Sequence, residues 1–290
     1  MTEAEKRRVV ALPIALAMAA GLALAGSHGG AVVGEIPLFA ICVAVAMVIQ
    51  WIAFVPAFIG QTERFYDLTG SLTYLTLTAV AIQLGPPADA RSGLLAVLVV
   101  AWAVRLGSFL FRRVVADGGD RRFDEIKPSF IRFFIAWTLQ GVWVSFTLGA
   151  ALAAITSGRS VPIGVFAWAG LVLWVAGFGL EVVADQQKGR FRSQPENAGR
   201  FISSGLWAWS RHPNYFGEII LWIGVAVIAY PVLEGWQYVT LLSPVFVTLL
   251  LTKLSGIPLL EARADARWGG DPEYEAYKSA TPVLVPRPPR

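Results

Sequence analysis

One stretch concentrates the chemistry of this chain: Trp207-Ala-Trp-Ser-Arg211-His212-Pro213-Asn214-Tyr215-Phe216-Gly217-Glu218 sets two basic side chains, an amide, a phenol and an acid against strongly apolar sequence. Arg211 and His212 precede Pro213, and proline is favoured in the first turn of a helix, so Tyr215 onward reads as helix with both basic groups at its N-terminus. Backbone N–H groups bind anions there. At helical spacing Asn214, Glu218 and Trp222 share one face, which carries a carboxylate into the apolar run from Ile219 to Tyr230, where a charge needs a partner. Trp, Tyr and Arg also suit a membrane-interface belt. Anchoring, however, gives no work to an amide and an acid one turn apart, and a ligand site does.

Upstream, Asp185, Lys188 and Arg192 stand at i, i+3 and i+7, one face of a continuing helix. Two cations beside one acid suit a phosphate-bearing ligand, the acid taking a hydroxyl or amide. A solvated helix end carrying topology-setting charge explains the same residues. Only the short loop of Gln194, Pro195, Glu196, Asn197 and Gly199 separates this face from Arg211 to Glu218, so the two can converge, with Asn197 as a further candidate contact. Arg105, about two turns inside an apolar run, must snorkel or pair, which makes it a candidate cofactor contact. Arg112, Arg113 and the Asp117-Gly-Gly-Asp120-Arg-Arg122 segment behind it read more simply as charge that sets topology. A fourth set, Gln61 to Tyr74, offers Asp67 as an acid and Tyr66 and Tyr74 as phenols; equally, Asp67 or Thr69 caps a helix starting near Ser71.

The elements that position these groups are membrane helices. The chain has 290 residues, 56% of them hydrophobic and 15% charged, with mean hydropathy +0.58, values outside the range of a soluble domain. One cysteine, Cys42, leaves no disulfide, and two histidines, His28 and His212, leave no multi-histidine metal site. The net charge of +4 comes mostly from arginines flanking apolar runs, so we read it as topology and anion binding and expect no nucleic-acid partner. Apolar runs fall at about Val9–Ala25, Ile36–Ile59, Ser71–Leu84, Leu94–Phe111, Phe133–Ile155, Val161–Val183, Phe216–Val232 and Trp236–Leu254. The first reads as an uncleaved span rather than a signal peptide.

The expected fold is therefore an all-α integral membrane bundle of about eight spans. Residues 1–35 form an N-terminal span and outer loop, 36–258 the main bundle, and 259–290 a cytoplasmic tail. Lys6, Arg7, Arg8, Arg121, Arg122, Lys127, Arg132, Lys188, Arg192, Arg211, Arg263 and Lys278 fall on one side, so the positive-inside rule puts both termini in the cytoplasm.

Trp51, Asp67-Leu-Thr-Gly-Ser71, Trp102 with Arg105-Leu-Gly107, Asp185-Gln-Gln-Lys188 with Phe191, and Gly205-Leu-Trp207 with Ser210 to Glu218 resemble the bacterial DUF1295 proteins, which group with the steroid 5-alpha-reductase-like membrane proteins. The resemblance covers nearly all of the chain after the first span. It implies a core of seven or more helices here extended by an N-terminal span, a bacterial inner-membrane location, and NADP(H) bound from the cytoplasmic side. It also implies reduction of carbon–carbon double bonds conjugated to a carbonyl. By motif, Asp185, Arg192, Asn214, Glu218 and Arg105 look like cofactor contacts; Lys188, Arg211, His212 and Tyr215 lie inside the same motifs. The chain departs from the steroid reductases at their substrate-polarising groups. Trp102 stands where they carry a tyrosine, the second span has no Gln-Glu pair, and an indole is not a phenolic acid. Either Asp67, Tyr66 or Tyr74 then takes over as the catalytic group, or the substrate differs from a steroid enone.

Two other functions remain open at this point. Isoprenylcysteine and phospholipid methyltransferases share an Arg-His-Pro-x-Tyr-x-Gly stretch like Arg211 to Gly217, with a C-terminal acid near Glu261; their donor, S-adenosylmethionine, has no phosphates for Lys188, Arg192 and Arg105. A non-enzymatic lipid-binding protein is the other, with Gln140, Glu181 and Glu218 lining a path. Either enzyme takes a hydrophobic small molecule from the bilayer.

Overall fold

The computed structural model describes residues 3–120 and 123–289, without the side chains of residues 3–9 and 117; Lys6, Arg7, Arg8, Asp117, Arg121 and Arg122 therefore lie outside the described side chains. The chain is 76% helical, as expected of an all-α membrane protein. In order it forms α1 (Glu3–Gly26), a two-residue antiparallel hairpin of β1 (Val32–Val33) and β2 (Ile36–Pro37), α2 (Leu38–Ile59), α3 (Tyr66–Leu84), α4 (Ala90–Asp117) and α5 (Phe130–Thr156). Then come α6 (Val165–Ser193), α7 (Pro213–Ala229), α8 (Ser243–Leu249), α9 (Ile257–Trp268) and α10 (Pro272–Ala280). Each of the eight apolar runs is mostly helical, though the second begins in β2 and the sixth four residues before α6. Among the described residues, six segments are long and apolar enough to cross a membrane, and α3 and the apolar part of α1, Val10–Gly26, are not among them. The last run is the least regular: a 3-10 stretch (Gly235–Leu242), α8 and a π turn (Leu250–Leu254).

The fold separates into two compact units. Met1–Ala167 with Ala226–Ser243 forms the first, and Trp168–Val225 with Pro244–Arg290 the second.

The first unit is built around α5, which packs on α1, α2, α3 and α4 and has 83% of its most apolar window buried. One end is closed by the buried Arg91, whose Nη1 donates to the carbonyl of Ile228 at 2.6 Å and Nη2 to that of Pro162 at 3.0 Å. Asp89 caps α4 by accepting from the N–H groups of Arg91 and Ser92. At the other end Phe54, Phe123, Phe133 and Trp137 form an aromatic core.

One expectation here is wrong. Helix α3 begins at Tyr66, five residues before Ser71, and its N-cap Phe65 has no side-chain cap bond. Neither Asp67 nor Thr69 caps it. Asp67 sits inside the first turn, where a carboxylate is favoured by the helix dipole, and the Thr69 hydroxyl donates back to the carbonyl of Phe65 at 2.7 Å.

The second unit rests on the contact of α6 with α7. A Cβ at Gly177 would lie 2.5 Å from the carbonyl oxygen of Gly217 and the nitrogen of Leu221. One at Gly217 would lie 2.5 Å from the carbonyl oxygen of Gly177, and one at Gly224 the same distance from that of Gly170. The two backbones touch along a seven-residue repeat that only glycine permits. That approach brings the buried Glu181 and Glu218 into the core and sets the ends of the two helices side by side.

Candidate functional site

Helix α6 runs on without a break to Ser193, so Asp185, Lys188 and Arg192 do share a face. Helix α7 starts at Pro213, two residues earlier than expected. The buried Asp185 accepts from Asn214 Nδ2 at 3.1 Å, which is the convergence the short loop allowed. Between the helices Trp207 is buried on Ala184 and Ile202, its indole N–H donating to the carbonyl of Ala184 at 3.0 Å. The ammonium of Lys188 stands 4.2 Å from the centre of that indole, a cation–π contact that holds it at the site. Asn197 ends α6: its Nδ2 donates to the carbonyl of Phe191 at 3.0 Å and to Gln194 Oε1 at 2.8 Å. Arg192 is exposed at the last turn.

A residue named in the sequence only for the methyltransferase alternative organises the other half of the site. Glu261, from the second turn of α9, lies 2.8 Å from His212 Nε2 through Oε1 and 2.7 Å from Arg211 Nη1 through Oε2. The Arg211 contact is an ion pair lying off the line of a hydrogen bond, and Arg211 Nε is buried with no hydrogen-bond partner among the described residues. Glu261 thus pairs with one of the two basic side chains at the N-terminus of α7. The His212 ring stacks on Tyr215, centroids 5.7 Å apart and planes within 12°. Its Nδ1 is buried with no partner among the described residues.

Burial is the main reason the His212 imidazole titrates below its ordinary value. Lys188 and Arg211 push the same way and Glu261 opposes them. With Nε2–H donated to Glu261, Nδ1 presents a lone pair to any ligand that brings a hydroxyl or amide hydrogen.

The C-terminal segment straps this stretch in place. Arg211 N–H donates to the carbonyl of Pro282 at 2.9 Å, Ser210 Oγ to that of Leu284 at 2.8 Å, Arg287 N–H to that of Trp209 at 2.9 Å, and the Tyr277 hydroxyl to that of Trp207 at 2.7 Å.

The remaining candidates belong to the first unit. The Tyr66 hydroxyl donates to the carbonyl of Ala136 at 2.8 Å, and its ring sits against Phe123 and Trp137. Asp67 lies 3.9 Å from Arg113. Tyr74 is buried edge-on to Trp102, centroids 5.1 Å apart. Arg105 lies over the ring of Phe109 at 5.2 Å. In the same unit the buried Glu63 accepts from Lys127 Nζ at 2.6 Å and from the Asp120 N–H at 2.7 Å. Burial alone would raise its carboxyl, yet those bonds hold it below the usual carboxylate range, and the Lys127 ammonium is raised.

Residues 53–281 match the family described as "Protein of unknown function (DUF1295)". The chain belongs to the DUF1295 family. The match takes in every candidate site residue named above and Glu261 with them. This DUF1295 protein is also 26% identical over 163 residues to an uncharacterized protein of Schizosaccharomyces pombe, spanning about half of that curated relative, 47% of each chain being covered. No solved structure matches.

Proposed function

We propose that this protein is a membrane reductase that uses NADPH to saturate a carbon–carbon double bond conjugated to a carbonyl in a hydrophobic, steroid-like or lipid substrate drawn from the bilayer. The observation that carries the reading is the junction of α6 and α7, where Asp185, Lys188 and Asn214 meet at a helix N-terminus and His212 Nδ1 is buried with no partner among the described residues. The donor set fits a dinucleotide: cations and backbone N–H groups suit phosphates, while Asp185 and His212 Nδ1 accept from hydroxyl or amide hydrogens. Asp185, Lys188, Arg192, Asn197, Arg211, His212, Asn214, Tyr215 and Glu218, all of the second unit, would hold it.

The bound cofactor supplies a hydride to the β-carbon of the substrate. The chain supplies the rest. An acid gives a proton to the α-carbon or to the carbonyl oxygen of the developing enolate, so that one hydride and one proton together saturate the bond. Tyr66 already donates its hydroxyl hydrogen to Ala136, which leaves Asp67 and Tyr74 as the acids to test. Protein incubated with NADPH deuterated at its transferable hydrogen and a panel of hydrophobic enones should yield product carrying one deuterium. Absence of label across the panel, under conditions where NADPH binds, would count against this reaction.

A second reading, an S-adenosylmethionine-dependent methyltransferase of lipids or isoprenoids, is favoured by one observation: the C-terminal acid Glu261 is joined to Arg211 and His212. It leaves Lys188 and Arg192 without an obvious ligand group.

We further propose eight spans with both termini cytoplasmic, in a bacterial inner membrane, with the cofactor site on the cytoplasmic face. The eight helical apolar runs and the cations of the inter-helix loops support this arrangement.

A further inference from the structure

The back of α6 carries a second recessed site. Gln187, Arg190 and Gln194 project about opposite the Asp185 face, at three- and four-residue spacing. With Phe191, Ile202, Ser204 and Gly205 they line a cleft of about 260 Å³. Phe191 and Ile202 belong to the apolar core around Trp207 and form its floor.

The polar wall is made of hydrogen-bond donors. Gln187 Oε1 already accepts from the Leu206 N–H at 2.9 Å, so the amide turns its NH₂ outward. Asn197 Nδ2 is fixed as a nitrogen by donating to the Phe191 carbonyl, so the Gln194 atom it also meets at 2.8 Å must be oxygen. Gln194 likewise presents its NH₂. Arg190 adds a guanidinium, and among the described residues no carboxylate pairs with it. Gly205, with φ +62°, brings the loop close enough that a Cβ would lie 2.6 Å from Gln187 Oε1, so a side chain there would crowd the wall. Donors without an acid call for an anion rich in acceptor oxygens.

The depth of the cleft selects the source. Helix α6 has 29 residues, about 43 Å at about 1.5 Å per residue, the thickness of a bilayer with its headgroups. Arg190 lies in its last turn, at headgroup level, where cations meet anionic lipid. We infer that the cleft walled by Arg190, Gln187, Gln194 and Ser204 over Phe191 and Ile202 binds the phosphate of an anionic membrane phospholipid. The site is distinct from the proposed cofactor face and does not depend on it.

The test is the melting temperature of the full-length protein in detergent, titrated with short-chain phosphatidylglycerol, short-chain phosphatidylcholine or inorganic phosphate. Phosphatidylglycerol should stabilise saturably and better than the other two. R190A should weaken its apparent affinity about tenfold or more, whereas removing a neighbouring exposed cation, R200A, should not. Q194E keeps the Asn197 bond and replaces the donor NH₂ with a carboxylate oxygen, so it should weaken binding as well. Equal effects of R190A and R200A would reduce the site to diffuse attraction, and inorganic phosphate matching the lipid would make it a free-anion site. Full affinity in R190A or Q194E, or no lipid stabilisation at all, would likewise overturn the inference.

Discussion

His212 and Glu261, 49 residues apart in sequence, meet at 2.8 Å, and the other oxygen of the same carboxylate lies 2.7 Å from Arg211. One acid from α9 therefore orients the imidazole and neutralises the cation beside it. E261A should destabilise the protein by about 2 kcal/mol, because it strands a largely buried guanidinium and a ring nitrogen. E261Q keeps an acceptor for His212 and should lose less. Heat denaturation of the detergent-solubilised variants reads both, and an E261A protein as stable as wild type would remove Glu261 from this role.

His212 also sets a pH dependence. Its folded value lies below the ordinary 6.5, so below about pH 6.5 the unfolded chain takes up a proton that the folded chain refuses. Stability should fall as pH drops through that window and level off once the folded value is passed. H212N should flatten this part of the profile between pH 7 and about pH 5, and an unchanged slope would show that His212 does not set it.

The crossing of α6 and α7 gives a steric prediction. A methyl at Gly177 or Gly217 meets backbone at 2.5 Å, whereas nothing lies within 4 Å of a Cβ at Gly179 on the same helix. G177A and G217A should each cost about 1–3 kcal/mol by overpacking. G179A should be neutral or slightly stabilising, as alanine is the better helix former. Equal behaviour of G177A and G179A would mean that the helices do not touch as described.

Glu63 and Lys127 offer a double-mutant cycle. The carboxylate is almost fully covered and the lysine side chain largely so, so either E63Q or K127M leaves its partner short of a bond and should cost about 1–3 kcal/mol. The double variant should cost clearly less than the sum of the two. Because the folded Glu63 value is depressed, its contribution is present at neutral pH and fades as pH falls through the carboxylate range. Strict additivity would show that the two residues act independently.

Much of the second unit was legible because its signals are local. Pro213 marks a helix start by its own backbone, and the i, i+3, i+7 spacing of Asp185, Lys188 and Arg192 needs only that α6 continue. The Gln194–His212 connection, with its two 3-10 turns, then folds back so that Asn214 meets Asp185. Glu261 entered only through the methyltransferase resemblance, and its pairing with Arg211 and His212 was hidden because those partners lie far away in sequence and it stands in a stretch that reads as a charged tail; Pro258 just ahead of it is a helix-start signal. The start of α3 was misread because Asp67 and Thr69 are capping types, and the structure uses them inside the first turn instead. The glycine contacts of Gly177 and Gly217 carry no sequence pattern until the two helices are known to be neighbours.

The most direct measurement is the shift in melting temperature of the detergent-purified protein with NADPH, NADH or S-adenosylmethionine, since a ligand at a hundred times its dissociation constant stabilises by about 2.7 kcal/mol. The account predicts stabilisation by NADPH that D185A and K188A weaken. Stabilisation by S-adenosylmethionine alone, or by none of the three, would contradict it.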